Sequence, residues 1–135
     1  MDRSPFEKRI TAAVGDADEL GHVNNAVWVR WIQDMATEHW RAAAEPEHVD
    51  AYVWVVVRHE IDYLRAVLPG ETVTGRTWVG EAPRGARFDR HVEFVGEDGK
   101  PRVRARTTWA ILDEGSGRPL RVPAQVAAPF LRGSG

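Results

Sequence analysis

The segment Gly15-Asp16-Ala17-Asp18-Glu19-Leu20-Gly21-His22-Val23-Asn24-Asn25 gathers carboxylates, a histidine, two glycines and two asparagines into one short stretch. A carboxylate in such a loop can draw a proton from water or attack an electrophilic carbon. The residues that follow carry the strongest helical pattern of the chain, so the loop empties into a helix N-terminus. The leading N–H groups of a helix lack intrahelical partners and carry about half a positive charge in aggregate, which suits them to hold a developing oxyanion. Asp18 and His22 could pair on a metal, but no third ligand stands nearby in sequence, so no metal site is expected. The chain contains no cysteine, which removes thiol, disulfide and Cys-ligated metal chemistry and leaves carboxylates, histidine and backbone to do the work.

The elements that must position this loop are legible from periodicity. Phe6 to Val14 reads as strand one, with Ile10, Ala12 and Val14 alternating. From Ala26 to about Ala44 the apolar residues Trp28, Trp31, Ile32, Met35, Ala36 and Trp40 oppose Arg30, Gln33, Asp34, Thr37, Glu38 and Arg41, the pattern of an amphipathic helix. Pro46 marks its end. Tyr52 to Leu64 is a long second strand, with Val53, Val55, Val57, His59, Ile61 and Tyr63 expected on one face. Pro69-Gly70 turns the chain into strand three, Glu71 to Glu81, and Pro83-Arg84-Gly85 closes a hairpin loop. Strand four runs Arg87 to Val95, with Phe88, Val92 and Phe94 against Asp89, His91 and Glu93. After the Glu97-Asp98-Gly99 turn, strand five, Arg102 to Leu112, sets Val103, Ala105, Thr107, Trp109 and Ile111 on one side. Pro123 to Leu131 forms a short helix or cap. One long helix against a meandering antiparallel sheet is an α+β architecture in which the sheet must wrap the helix to bury it.

At 135 residues the chain is one domain, 1–135, large enough to bury roughly two-thirds of its unfolded surface. A formal net charge of -2 provides no basic field for a polyanion, so nucleic acid is not an expected partner. Residues Met1 to Pro5 lack the apolar core of a signal peptide, and no apolar run approaches membrane-spanning length. A cytoplasmic location without membrane association is expected.

The order of elements, together with Asp16-Ala17-Asp18-Glu19-Leu20-Gly21-His22-Val23-Asn24-Asn25-Ala26-Val27-Trp28, resembles the hotdog-fold acyl-CoA thioesterases of the 4-hydroxybenzoyl-CoA thioesterase type. Glu60-Ile61-Asp62-Tyr63 and Pro69-Gly70-Glu71 resemble that family's second strand and the turn after it. The resemblance covers nearly the whole chain and implies a hotdog fold, a five-stranded antiparallel sheet wrapped around one long α-helix. It implies hydrolysis of an acyl- or aryl-CoA thioester with no cofactor beyond the coenzyme A carried by the substrate. It also implies a homodimer, with a homotetramer as the next level, paired through the long second strand and with sites between subunits. An exposed strand that long and valine-rich fits such a role, since an open edge is an aggregation hazard.

Carried onto this sequence, the resemblance places the catalytic acid at Asp18, as nucleophile or general base, and leaves Asp16 a structural place at the strand end. The backbone N–H near Asn25 polarises the carbonyl. His22 orients water or the acyl carbonyl, and Asn24 contacts substrate or simply caps the helix. Trp28 and His59 are expected to line the acyl site, although a histidine among Val57 and Ile61 also suits a hydrogen-bonded core position. Arg84 and Arg87, which bracket the hairpin loop, are expected to meet the nucleotide phosphates of coenzyme A; Arg104 and Arg106 are weaker candidates. Trp28, Trp31, Trp54 and Trp78 either form an aromatic pocket or fill the core. Two other readings stand beside thioesterase: an enoyl-CoA hydratase of the same fold, whose proline and histidine spacing are not matched here, and a non-catalytic acyl-CoA-binding module.

Overall fold

The computed structural model describes residues 5–131, so residues 1–4, part of the N-terminal stretch read above, lie outside the described residues. The chain forms β1 (Phe6–Thr11), α1 (Asn25–Ala43), α2 (Pro46–Ala51), β2 (Tyr52–Tyr63), β3 (Thr72–Trp78), β4 (Arg87–Gly96), β5 (Pro101–Asp113) and α3 (Ala124–Leu131). The five strands make one sheet in the order β1-β3-β4-β5-β2, antiparallel throughout. β1 and β2 are therefore its edges.

Helix α1 is held against this sheet by Val27, Trp28, Trp31, Ile32, Met35 and Ala36, all buried. Its start is fixed by Asn24, whose side chain accepts a hydrogen bond from Ala26 N–H, satisfying one of the orphan donors of the first turn. Close approach of helix and sheet depends on Gly75 in β3: a Cβ there would lie 2.9 Å from Phe94 and 3.0 Å from the Met35 sulfur. Glycine lets the helix backbone settle where any larger residue would wedge it away.

The core has two parts along the helix. Toward its N-terminus, Val23, Trp28, Trp31, Ile32 and Met35 pack with Val67, Val73, Val92, Phe94 and Val103. Toward its C-terminus, Val79, Phe88, Ile111, Val122 and Val126 pack with Trp40, Trp54 and Phe130.

Several boundaries differ from the sequence reading. Strand one stops at Thr11, and Val14–Asp16 is a 3-10 turn with Val14 83% exposed. The Asp16 carboxylate accepts from Ala13 N–H at 2.8 Å and so pulls the chain out of the strand. Helix α1 begins at Asn25 and ends at Ala43. Pro46 does more than end it: it opens α2 at its N1 position, where its fixed φ favours a helix start. β3 is shorter than expected because Glu71 belongs to the preceding turn, bonded to Leu68 through both main chain and side chain.

The largest correction concerns β2. Val56 pairs with Trp109 and Arg58 with Thr108, so Val57 is bulged. An extra residue in a strand of period two inverts its faces. Val53, Val55 and Val57 therefore point outward at 41%, 39% and 44% exposure, while Trp54 and Val56 before the bulge, and His59 and Ile61 after it, face inward. The single face expected for Val53 through Tyr63 does not exist. Among the described residues no helix is long and apolar enough to cross a membrane.

Candidate active site

The loop between β1 and α1 folds over the helix N-terminus and is tied down by its own backbone. Asp18 N–H donates to the His22 carbonyl at 2.8 Å, Asn24 N–H to the Asp16 carbonyl at 2.9 Å and Val23 N–H to the Val67 carbonyl at 2.8 Å. Gly21 takes a φ of 81°, a left-handed conformation that glycine adopts at little cost. Asp16 and Asp18, two residues apart, then take different work. Asp16 bonds Ala13 N–H through one oxygen and stands 3.5 Å from Arg30 on α1 through the other, so both oxygens hold the loop to its neighbours. Asp18 uses only Oδ1 in this way, accepting from Leu20 N–H at 2.9 Å and His22 N–H at 3.4 Å. Its Oδ2 has no hydrogen-bond partner among the described residues.

A cleft of about 420 Å³ brings together Asp18, His22, Asn24, Asn25 and Trp28 with Tyr63, Leu64, Arg65 and Ala66 from the end of β2. Trp28, buried, packs edge-on to Trp31 and forms the apolar base of the cleft. The donors of the first helical turn are mostly spent: Ala26 N–H on the Asn24 side chain, and Val27 and Trp28 N–H on the Asn24 carbonyl. Asn25 N–H has no protein acceptor among the described residues. One unspent backbone donor at the positive end of a 19-residue helix thus shares a cleft with one unspent carboxylate oxygen. Asn24 is the helix N-cap, and its side-chain oxygen is committed to that duty.

The remaining expected residues lie elsewhere. His59 sits between helix and sheet, with Nε2 3.5 Å from the Gln33 amide nitrogen and Nδ1 2.8 Å from the Thr107 hydroxyl. With Nε2 accepting from Gln33, Nδ1 carries the proton and donates to Thr107. Burial lowers its pKa, which favours this neutral form. Arg87 opens β4 and Arg84 faces it from the loop just before, level with the first half of β2 through the pairs Arg87 with Ala110 and Ala110 with Val55. They are at the far end of the sheet from the Asp18 cleft of the same protomer. Arg84 donates to the buried carboxylate of Asp89 at 3.0 Å, and Arg106 bonds the same oxygen at 2.8 Å, with Thr108 on the other oxygen at 2.7 Å. Burial works against the charge of Asp89, but the bonds from Thr108, Arg84 and Arg106 outweigh it and hold its carboxyl well below the usual range. Arg84 and Arg106 are thereby partly neutralised, as is Arg104 by Glu93. Arg87 has no carboxylate within ion-pairing distance among the described residues and is the freer cation.

Of the indoles considered above, Trp28 and Trp31 belong to the first core and Trp54 borders the second, whereas Trp78 stacks on His91. The sequence reading missed Arg65, which places a cation at the rim of the cleft with its Nη1 on the Pro101 carbonyl. Its only signal was a basic residue just past the end of a strand. No group of three or more residues able to hold a metal gathers among the described residues.

Comparison with known proteins adds the family. A model described as the thioesterase-like superfamily matches residues 12–130. Among solved structures, a thioesterase from Thermus thermophilus complexed with coenzyme A and Zn is 23% identical, with a TM-score of 0.82, over 97% of this chain and 95% of that one. The hypothetical protein SAV2348 from Staphylococcus aureus, in complex with CoA, is 14% identical with a TM-score of 0.85, over 96% and 83%. A probable thioesterase from Bartonella henselae is 22% identical with a TM-score of 0.74, over 89% and 99%. At these identities the likeness is one of fold, the hotdog arrangement of sheet and helix. No curated protein sequence matches the chain significantly.

Proposed function

The chain belongs to the thioesterase-like superfamily, and from that premise we propose that it hydrolyses an acyl-CoA thioester to the free acid and coenzyme A. The observation that carries this reading is the pairing, in one cleft, of the unspent Asp18 Oδ2 with the unspent Asn25 N–H at the N-terminus of α1. The thioester oxygen takes the Asn25 N–H, which stabilises the charge it gains as the carbonyl carbon becomes tetrahedral. Asp18 then acts in one of two ways. It attacks the carbon and expels the thiolate, leaving a mixed anhydride that water cleaves, or it takes a proton from the water that attacks. His22, exposed at the mouth of the cleft, orients that water, and Trp28 floors the acyl side.

Coenzyme A as carrier is supported by the CoA-bound structures of the same fold. The cation that meets its phosphates comes from a second copy. β2 is an edge strand with an unpaired outer side, and its antiparallel pairing with a symmetry mate sets the first half of one β2 against the second half of the other. The partner's hairpin, with Arg87 ahead of Arg84, is then carried toward the Asp18 cleft. We therefore read the active species as a homodimer, and sedimentation showing a stable monomer at micromolar concentration would overturn that part.

Thiol release from a panel of acyl-CoAs, run beside crotonyl-CoA hydration, tests the activity. Thiol release that is lost in Asp18→Asn supports hydrolysis. Water addition without thiol release would identify a hydratase, and tight thioester binding with neither reaction would identify a binding module.

A further inference from the structure

Toward the C-terminal half of α1 the inner face of the sheet carries three donors on one diagonal. Arg90 of β4 pairs with Thr107 of β5; Trp109, two residues further along β5, pairs with Val56 of β2; and Trp54 stands two residues before Val56. Neighbours on such a diagonal are about 7–8 Å apart, so a guanidinium and two indoles meet one small region. That region is a cavity of about 240 Å³, which Arg90, Trp54 and Trp109 line together with Trp40 of α1 and Phe130 of α3. Trp40 meets Trp54 edge-on at 5.7 Å and stacks on Phe130 at 5.8 Å, so the remaining walls are flat and apolar.

Each of the three donors is short of a partner. Arg90 is only 8% exposed. Its Nη1 donates to His39 Nδ1 at 2.8 Å and to the Thr77 hydroxyl oxygen at 3.1 Å, and its guanidinium carbon lies 5.7 Å from the Phe130 ring centre. Its Nε and Nη2, the side-on edge of the guanidinium, have no hydrogen-bond partner among the described residues, and no carboxylate there bonds it. Burial pulls Arg90 down to about 10, which leaves it charged at neutral pH, and His39, lowered to about 4 by burial first and by Arg90 second, adds no countercharge. The indole N–H groups of Trp54 and Trp109 are buried without an acceptor among the described residues. Asp89 and Arg41 also border the cavity. Both Asp89 oxygens are already engaged, by Thr108 on one and by Arg84 and Arg106 on the other. Arg41, exposed on α1 with no carboxylate in ion-pairing distance among the described residues, adds a second positive charge.

A buried cation without a countercharge and a buried donor without an acceptor are each costly, and here both costs fall on the same space. We propose that this cavity is a binding site for a free organic carboxylate whose apolar body is about the size of one aromatic ring. A planar carboxylate matches the open Nε and Nη2 edge of Arg90 with two parallel hydrogen bonds, and its remaining lone pairs accept from the indole N–H groups. The rings of Trp40 and Phe130 take the apolar body. At about 240 Å³ the space is below the roughly 300 Å³ at which drug-sized pockets begin, which limits that body to a single ring. Because Phe130 belongs to α3, the ligand ties the C-terminal helix to the sheet, and occupancy adds to the stability of the fold. The site takes no residue from the Asp18 cleft and is independent of the thioesterase reading.

Three indoles line the cavity, so their fluorescence reports occupancy without any turnover. Titration with benzoate, benzamide and acetate at constant ionic strength separates charge from shape. Benzoate is expected to bind at least about ten-fold more tightly than benzamide, which lacks the charge, and than acetate, which lacks the body; ten-fold is about 1.4 kcal/mol. Benzoate also raises the melting temperature, and benzamide at the same concentration does not. The benzoate to benzamide ratio falls to near one in Arg90→Met and by about three-fold in Trp54→Phe and in Trp109→Phe, which keep a ring and remove a donor. It stays unchanged in Arg65→Ala and Arg87→Ala, which remove cations of the cleft rim and of the hairpin. If Arg90→Met does not fold, the two indole variants decide. A ratio near one in the unaltered protein, acetate binding as tightly as benzoate, or a ratio that survives the cavity variants and is lost with Arg65 or Arg87 would each overturn the proposal.

Discussion

At its N-terminal end α1 opens onto a cleft whose polar groups are short and wet: the Asp18 carboxylate, the exposed His22 and a backbone N–H at Asn25. At its C-terminal end the same helix closes, through Trp40, over a space walled by rings and charged by a guanidinium that is almost wholly buried. The contrast divides labour by chemistry. Groups that must change bonding partners during a reaction keep an atom free and solvent within reach. The groups at the second end are locked by packing and hydrogen bonds instead, with Arg90 held by His39 and Thr77. The backbone supplies the positive potential at the first end and a side chain supplies it at the second, because only a side chain can carry a full charge into the core of the sheet.

That division is open to attack at several points. The largest effect is expected at Asp18: Asp18→Asn keeps size and the bonds to Leu20 and His22 but removes charge, and kcat falls by at least about 10²-fold with little change in thermal stability. Asp16→Asn loosens the loop instead and retains most turnover per folded molecule; the reverse result would exchange the roles of the two carboxylates. Next comes the middle of the helix, where Gly75→Ala forces a methyl against Phe94 and Met35. A loss of about 2 kcal/mol in denaturant unfolding is expected, and both ends of α1 suffer together. A change at one end alone would show that the two are not mechanically joined.

A smaller effect separates the two hairpin arginines. Arg87→Ala is expected to raise KM for an acyl-CoA by about ten-fold while sparing kcat, as when ground and transition states lose the same contact. Arg84→Ala raises KM less and lowers stability, since it strips a partner from buried Asp89. Equal KM effects would mean that the Asp89 bond does not restrain Arg84.

A further effect is a pH dependence of stability, through His39 at the closed end and through His59 beside Gln33 and Thr107. His39 is lowered to about 4 and His59 is lowered by burial, so below about pH 6.5 the unfolded chain takes up protons that the folded chain refuses. Stability is full above that pH and declines as pH falls toward 4. Urea midpoints at pH 7 and pH 5 will show the decline, and His39→Gln will show less of it. A flat profile would mean that His39 is protonated as readily in the fold as outside it.

The open end was largely legible in sequence. Carboxylates, glycine and asparagine before an amphipathic run announce a loop and a capped helix, because turn chemistry is local. What could not be read was which oxygen of Asp18 stays free, since that depends on where Leu20 and His22 turn their N–H groups. The closed end left one signal that pattern reading passed over. In Phe88, Arg90, Val92 and Phe94 the alternation contains a cation on its buried side, and counting only the apolar members hid it. His39, Thr77, Trp54 and Trp109 come from separate elements, and nothing local links them. Periodicity likewise ran straight through Val57, because a bulge is a property of the pairing between two strands and leaves no mark on either alone.

That bulge gives β2 a parity. Its outward side is aliphatic from Val53 to Val57 and charged through Arg58, Glu60 and Asp62, and the switch is made by one supernumerary residue. Deleting Val57 would let the ladder run evenly and force an exchange: either Trp54 and Val56, or His59 and Ile61, would have to turn to solvent. Adding or removing any single residue between Tyr52 and Tyr63 imposes the same choice, whereas a matched pair of changes does not. Lineages that share this cavity and this helix are therefore expected to vary in the length of the strand by twos, and an odd step between them would mark the point where the cavity was lost or rebuilt.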